Sequence, residues 1–282
     1  NQILEKSKKV PAAKLPDTER EQLMAEAHFL RAYYHMRLLL NWKEIIIRDQ
    51  YITSGEPSAL DKALSSRTAC WDFVVQDLNA ATALPESHSI ENIGRATRGA
   101  AYAYLGWAYL TRAAEEKQAK DDHLRKAIDA FNKVTGYELN PNFADMFNGQ
   151  SENSKESIFE MQFTLNDANG ANYRTQMHRW IGCSELMGWD EILPAKALMD
   201  EFMKEGKIAT DGEYDNRLYA TIFYQCDYWN APEGRVYGKK YDDWFTEEGK
   251  AYNRPAFRKF MPATIEELGM DETAVNIPLM RY

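Results

Sequence analysis

Cysteine, positive charge and long apolar runs are scarce in this sequence. Its three cysteines, Cys70, Cys183 and Cys226, are odd in number and widely spaced, with no CxxC. That spacing argues against a zinc site and against a disulfide framework. Mean hydropathy is −0.59, and no apolar run approaches the length of a membrane-spanning helix. Lys and Arg number 34 against 43 Asp and Glu, a formal net charge of −9. An acidic protein repels phosphate backbones, so nucleic acid is not an expected partner, while neutral ligands are not disfavoured. No signal peptide opens the chain, and Asn1 in place of an initiator Met reads as processing or trimming.

Catalytic and cofactor signatures are missing as well. There is no GxSxG, no GxxxxGK(S/T) and no GxGxxG, and no cysteine has a local catalytic signature. His28 and His35 lie two helical turns apart, and His88, His123 and His178 are scattered. They read as packed or surface histidines, so neither metal nor cofactor is expected. The run DGEYDNR, residues 211–217, lacks the ligand spacing and closing Glu of an EF-hand. It reads as a turn, with Asp215 pairing Arg217 or capping a helix.

What is present begins with helical periodicity. After Pro16, Asp17 or Thr18 can cap a long helix. Leu23, Ala27, Leu30, Tyr34, Leu38 and Asn41 follow one line along it, and Phe29, Tyr33, Met36 and Leu40 a second. Two apolar stripes predict two packed neighbours. A polar connector at 53–58 precedes a helix from Ser65 or Ser66 carrying Trp71, Val74, Val75 and Leu78 and ending at Pro85. Thr97 opens a third helix rich in small residues, and HLRKAIDAFNKVTG forms a fourth. Leu105-Gly106 with Tyr109, then Ala127 with Phe131, fit the paired helices of a tetratricopeptide repeat. Residues 1–136 thus read as about two helical hairpins that bury their faces on each other.

Beyond residue 136 the character changes. SIFEMQFT alternates, with Phe159, Met161 and Phe163 on one side and Glu160 and Gln162 on the other, as in a short strand. After Pro194, Leu198, Phe202 and Met203 mark a helix closing near Gly206. Residues 207–262 show no clean period and read as a long irregular region. Four of seven Trp and nine of sixteen Tyr lie after residue 170. Within 225–245, Tyr228, Trp229, Tyr237, Tyr241, Trp244 and Phe245 sit among polar groups. A sugar ring stacks its CH face on an aromatic ring while edge groups take its hydroxyls. Asp227, Asn230, Arg235, Lys239 and Asp243 are suitable edges. Two rivals stand beside this reading. One is a protein-interaction scaffold using Arg31, Arg37 or Arg112 on the repeats. The other is a glycosidase built on Asp242-Asp243 or Glu247-Glu248.

Several blocks in order resemble the SusD/RagB family of outer-membrane lipoproteins. They are AEAHFLRAYYHMRLLLNW, SRTACWDFVVQDLNAATALP, RATRGAAYAYLGWAYL, ESIFEMQF, ILPAKALMDEFMKEGKIATDGEYDNRL and the final NIPLMRY. The resemblance spans residues 26–282. It implies a mostly α fold: a tetratricopeptide-like scaffold over 1–136, with an irregular, loop-rich binding region with a few short strands over 137–282, packed on it as one structural unit. It also implies a non-enzymatic role at the cell surface, binding oligosaccharide or another nutrient for a SusC-like TonB-dependent transporter. Typical members extend beyond both ends of this chain. No lipobox cysteine is present, so membrane attachment through a lipid anchor is implied by the resemblance alone. No family motif carries a binding residue onto this sequence, and the aromatic set above is a physical reading.

Overall fold

The computed structural model describes residues 1–55, 60–165 and 173–282. Of the connector read at 53–58, residues 56–58 lie outside the described residues. The chain divides into two compact units, Asn1–Tyr137 with Met280–Tyr282, and Glu138–Leu279.

The first unit is helical: α1 Gln2–Lys6, α2 Asp17–Asn41, α3 Arg67–Ala81, α4 Arg98–Glu115 and α5 Lys120–Phe131. Caps set two of the starts. Ser66 Oγ accepts from Ala69 N at 3.3 Å and Thr97 Oγ1 from Ala100 N at 3.2 Å. In α2 the buried line is Ala25, Phe29, Ala32, Met36 and Leu39. It packs on α3, which buries Trp71, Val74, Leu78 and Ala81. A second neighbour is α4, whose Tyr104 meets Phe29 and Tyr33 of α2 edge-on at 5.5 and 5.6 Å, but the line of Leu30, Tyr34 and Leu38 is exposed rather than packed. The α4–α5 hairpin explains the repeat-like motif. A Cβ on Gly106 would lie 2.5 Å from the Phe131 ring, so only glycine lets α5 seat that closely.

Ion pairs tie these helices internally. Asp77, 1% exposed, accepts from Arg31 Nε at 2.7 Å, Arg31 Nη2 at 2.8 Å and His28 Nδ1 at 2.6 Å. Burial pushes the Asp77 carboxyl up, but the hydrogen bonds from Arg31 and His28 outweigh it and hold the group below its ordinary range. Arg67 grips Glu115 through two 2.6 Å bonds, and Trp71 Nε1 donates to the same carboxylate at 2.9 Å. Arg112 is buried against Asp72 at 2.8 Å and Glu116 at 3.0 Å. Arg31 and Arg112 are therefore structural rather than displayed, which corrects their place in the interaction-scaffold reading.

The second unit is assembled from short pieces. They are β1 Ser157–Met161, α6 Met177–Ile181, α7 Lys196–Met203, α8 Asn216–Thr221, β2 Ile222–Phe223, α9 Asp227–Asn230, α10 Tyr241–Trp244, β3 Thr246–Glu247, β4 Lys250–Ala251, β5 Ala256–Phe257 and α11 Ile265–Leu268. β2 pairs antiparallel with β5, Ile222 opposite Phe257, and β3 with β4, Thr246 opposite Ala251. Asp215 does both things read from its sequence. It caps α8, accepting from Arg217 N at 2.8 Å, and it pairs with the Arg217 guanidinium. β1 is turned opposite to the simple apolar-inward pattern. Ile158 and Glu160 are buried, and Met161 is 45% exposed. Glu160 is satisfied inside by Asn153 N at 3.2 Å, and buried Glu156 by Asn140 N at 2.7 Å, so a loop of backbone donors replaces solvent for both acids.

The core of this unit gathers Leu186, Leu218, Ile222, Phe223, Trp229, Tyr241, Phe245 and Leu268. Most of them come from the region read as long and irregular. Short elements still close a core here because aromatic rings bury large areas without needing a long periodic face. Among the described residues, no helix is long and apolar enough to cross a membrane.

Candidate functional site

The aromatic cluster of 225–245 is largely interior. Trp229 is 2% exposed and Tyr241 0%. Trp229 meets Phe223 edge-on at 4.8 Å and Tyr228 at 4.9 Å, and the Arg258 guanidinium lies over its ring at 5.2 Å. Tyr241 stacks on Phe245 at 4.2 Å, donates its hydroxyl to Arg254 O at 2.8 Å and accepts from Arg254 N at 2.9 Å. Neither ring is an open shelf. Both faces of the Tyr241 environment are taken by protein, so Tyr241 leaves the candidate list, and Trp229 stays only as the wall of a cavity.

The remaining predicted residues divide by what they touch. Tyr228 stacks on Tyr219 at 4.0 Å. Trp244 Nε1 donates to Val236 O at 2.8 Å, and the Lys239 ammonium sits over its ring at 4.6 Å. Tyr237 and Gly238 have φ of +47° and +80°, and Val236 and Lys239 exchange both backbone hydrogen bonds across them. That is a tight primed turn clamped by Trp244. The Tyr237 hydroxyl donates to Pro262 O at 2.7 Å, and burial pushes its phenol up. Asn230 and Asp243 serve backbone: Asn230 Oδ1 accepts from Asp242 N and Asp243 Oδ2 from Lys240 N, each at 3.2 Å. Arg235, Tyr237 and Trp229 line one cavity of about 290 Å³, together with Arg258 and Lys259.

The hydrolase candidates gain no geometry. Glu247 and Glu248 lie at the exposed β3–β4 turn, where Glu248 and Gly249 have φ of +52° and +74°. Asp242 accepts from Gln225 Nε2 at 3.3 Å. Among the described residues, no group of three or more His, Cys, Asp or Glu side chains could hold a metal ion.

Two tryptophans outside the predicted cluster are displayed instead. Trp180 is 47% exposed and Trp189 45%, and their rings meet at 5.1 Å and 82°. The pair is built by a tight loop after α6. Gly188 N donates to Cys183 O at 2.8 Å, Trp189 N to Arg179 O at 2.8 Å and Asp190 N to Gly182 O at 3.2 Å. The strands of this loop touch backbone to backbone, since a Cβ on Gly188 would fall 2.0 Å from Gly182 O. Below, Cys183 is fully buried, and burial pushes its thiol up to about 12. Arg254 pins the loop by bonds to Glu185, at 2.9 Å, and to Asp190. Arg254 thus holds the platform from outside the loop while its backbone anchors the buried Tyr241. A Cβ on Gly182 would lie 3.1 Å from Met261 Cε, and Met261 also lines the cavity, so platform and cavity adjoin through that side chain.

Residues 1–110 match the family described as "Starch-binding associating with outer membrane", and residues 155–282 match the SusD family. A SusD-like protein of Bacteroides ovatus is 24% identical over 213 residues, covering 70% of this chain and 38% of its own. Among solved structures, a SusD superfamily protein from Bacteroides vulgatus superposes with a TM-score of 0.77 at 24% identity, covering 100% of this chain and 56% of that one. A laminarin-binding SusD-like protein superposes with a TM-score of 0.65 at 20% identity, covering 99% and 60%. At such identities the structural likeness is one of fold. The chain spans about half the length of the relatives it matches.

Proposed function

We propose, on the premise that this chain belongs to the SusD family, that it captures an oligosaccharide without breaking bonds in it and delivers it to a TonB-dependent outer-membrane transporter. The observation that carries the binding step is the exposed Trp180–Trp189 pair. Two rings at nearly a right angle offer a face and an edge to an apolar sugar surface. The loop closure at Gly182–Gly188 and the Arg254 bonds hold them in place before ligand arrives, which lowers the ordering cost of binding. A shallow platform buries little area, so the affinity is modest. Attachment to the outer membrane and the transporter partner rest on the family membership.

The test is retention in native gels containing laminarin, xyloglucan or starch, comparing the wild type with Trp180→Ala/Trp189→Ala. The double variant is expected to run unretarded in whichever polysaccharide retards the wild type, with an unchanged melting temperature. Equal retardation of both proteins would refute the platform.

A further inference from the structure

The cavity beside this platform has a chemistry of its own. Its volume of about 290 Å³ lies at the lower end of the usual range for ligand pockets, roughly 300–1,000 Å³. Arg235, Arg258 and Lys259 line it together with the rings of Phe147, Phe223 and Trp229, and among the described residues no acidic side chain lines it. The arginines of this unit that form ion pairs among the described residues are Arg174, Arg179, Arg217 and Arg254. Arg235 and Arg258 are not among them. Arg258 donates through Nη1 to Tyr219 O at 3.2 Å and rests its guanidinium over Trp229. Burial pulls its pKa down, and Tyr228, Tyr237 and, least, Asp145, which is outside the lining, only partly oppose that. A desolvated cation without a facing carboxylate gains most from an anion brought in from outside.

A second observation is independent of the charges. Trp229 is 2% exposed, and its indole N–H has no hydrogen-bond partner. Buried polar groups in folded proteins are normally satisfied, so an orphaned donor in the wall of a donor-rich cavity points to an acceptor that arrives with the ligand. In a chain of net charge −9, a pocket lined by Arg235 and Arg258 and, among the described residues, by no acid departs from the average surface.

We propose that this cavity binds the anionic substituent, a carboxylate or a sulfate ester, of an acidic saccharide. The inference rests on the glycan reading above and adds the charge class of the glycan. The guanidinium groups of Arg235 and Arg258 supply paired N–H donors that match the oxygens of either group.

Calorimetric titration with matched pairs tests this. One pair is tetragalacturonate and its methyl ester. The other is a sulfated carrageenan tetrasaccharide and its desulfated form. The charged member of at least one pair is expected to bind tenfold or more tightly than its neutral partner. That preference should shrink between 0.1 and 0.5 M salt, as charge screening requires. Arg235→Gln and Arg258→Gln should each abolish it. The pair that shows the ratio identifies the substituent. Trp180→Ala/Trp189→Ala should weaken both members of that pair alike and leave their ratio intact. Binding of the neutral members within twofold of the charged ones, or an undiminished preference in Arg235→Gln, overturns the inference while leaving the glycan reading standing. Absence of binding by all four sugars overturns this inference, and failure of every polysaccharide gel as well overturns the glycan reading.

Discussion

The two units reach compactness by different routes. In the first, 15- to 25-residue helices such as α2 and α3 bury one periodic stripe each, and ion pairs such as Arg31–Asp77 and Arg67–Glu115 join helix to helix. In the second, elements of two to eight residues enclose stacked rings, and the pairs at Arg254 pin loops instead. A long helix makes its own backbone hydrogen bonds and leaves side chains to settle packing. Short pieces leave many backbone groups to be satisfied by turns and side chains, so their polar residues are consumed by structure. Asn230, Asp243 and Tyr237 are consumed in this way. What the second unit leaves displayed is correspondingly distinct: two tryptophans and a cationic cavity.

Substitutions sharpen this contrast. Trp229→Ala removes a buried ring from the second core and should cost about 3–5 kcal/mol of stability in urea unfolding. A cost near zero would return Trp229 to the role of an open shelf. In the first unit, Asp77→Ala leaves Arg31 without its buried partner, and about 3–5 kcal/mol should be lost. Gly106→Ala presses a methyl into Phe131 and should cost about 1–3 kcal/mol unless the ring swings outward. Trp180→Ala and Trp189→Ala should each change stability by less than about 0.5 kcal/mol. Each should nonetheless weaken glycan binding about tenfold, or about 1.4 kcal/mol.

Acid should separate the groups by mechanism. Burial lowers the pKa of His35 in the first unit and of His178 in the second, below the ordinary 6.5. A depressed folded value means the unfolded chain binds the proton first. Both histidines therefore contribute stability above pH 6.5, and it is lost as pH falls through their folded values. Asp77 behaves alike at lower pH: its contribution is present above the unfolded carboxylate range and disappears as pH drops through its depressed value. Chemical unfolding at pH 7.5, 5 and 2.5 should show two successive losses, the second falling below the ordinary carboxylate value of 3.8. His178→Asn should reduce the first, and Asp77→Ala should remove part of the second.

Legibility followed the same division. The long helices of the first unit were readable from stripes and caps because a 3.6-residue period and a Ser or Thr before it are local signals. The burial state of α2 was not, since whether Leu30, Tyr34 and Leu38 meet a neighbour depends on other elements. In the second unit, the clustering of Trp229, Tyr241 and Trp244 was visible, but their burial depends on contacts such as Tyr241 with Arg254, thirteen residues on. The display of Trp180 and Trp189 is not legible in sequence, because their loop closes through Gly182 and Gly188, a backbone contact with no periodic signature. Two glycines six apart between two tryptophans were the signal available. Arg258 escaped notice for a similar reason: its partner ring lies 29 residues earlier, in α9.

Trp180 and Trp189 are the rings expected to meet the sugar. Fluorine NMR of the protein labelled with 5-fluorotryptophan, each signal assigned by single Trp→Phe substitution, reads this directly. On titration with a glycan that retards the protein in gels, the Trp180 and Trp189 signals should shift in proportion to saturation. Saturation that leaves both signals unmoved would contradict the account.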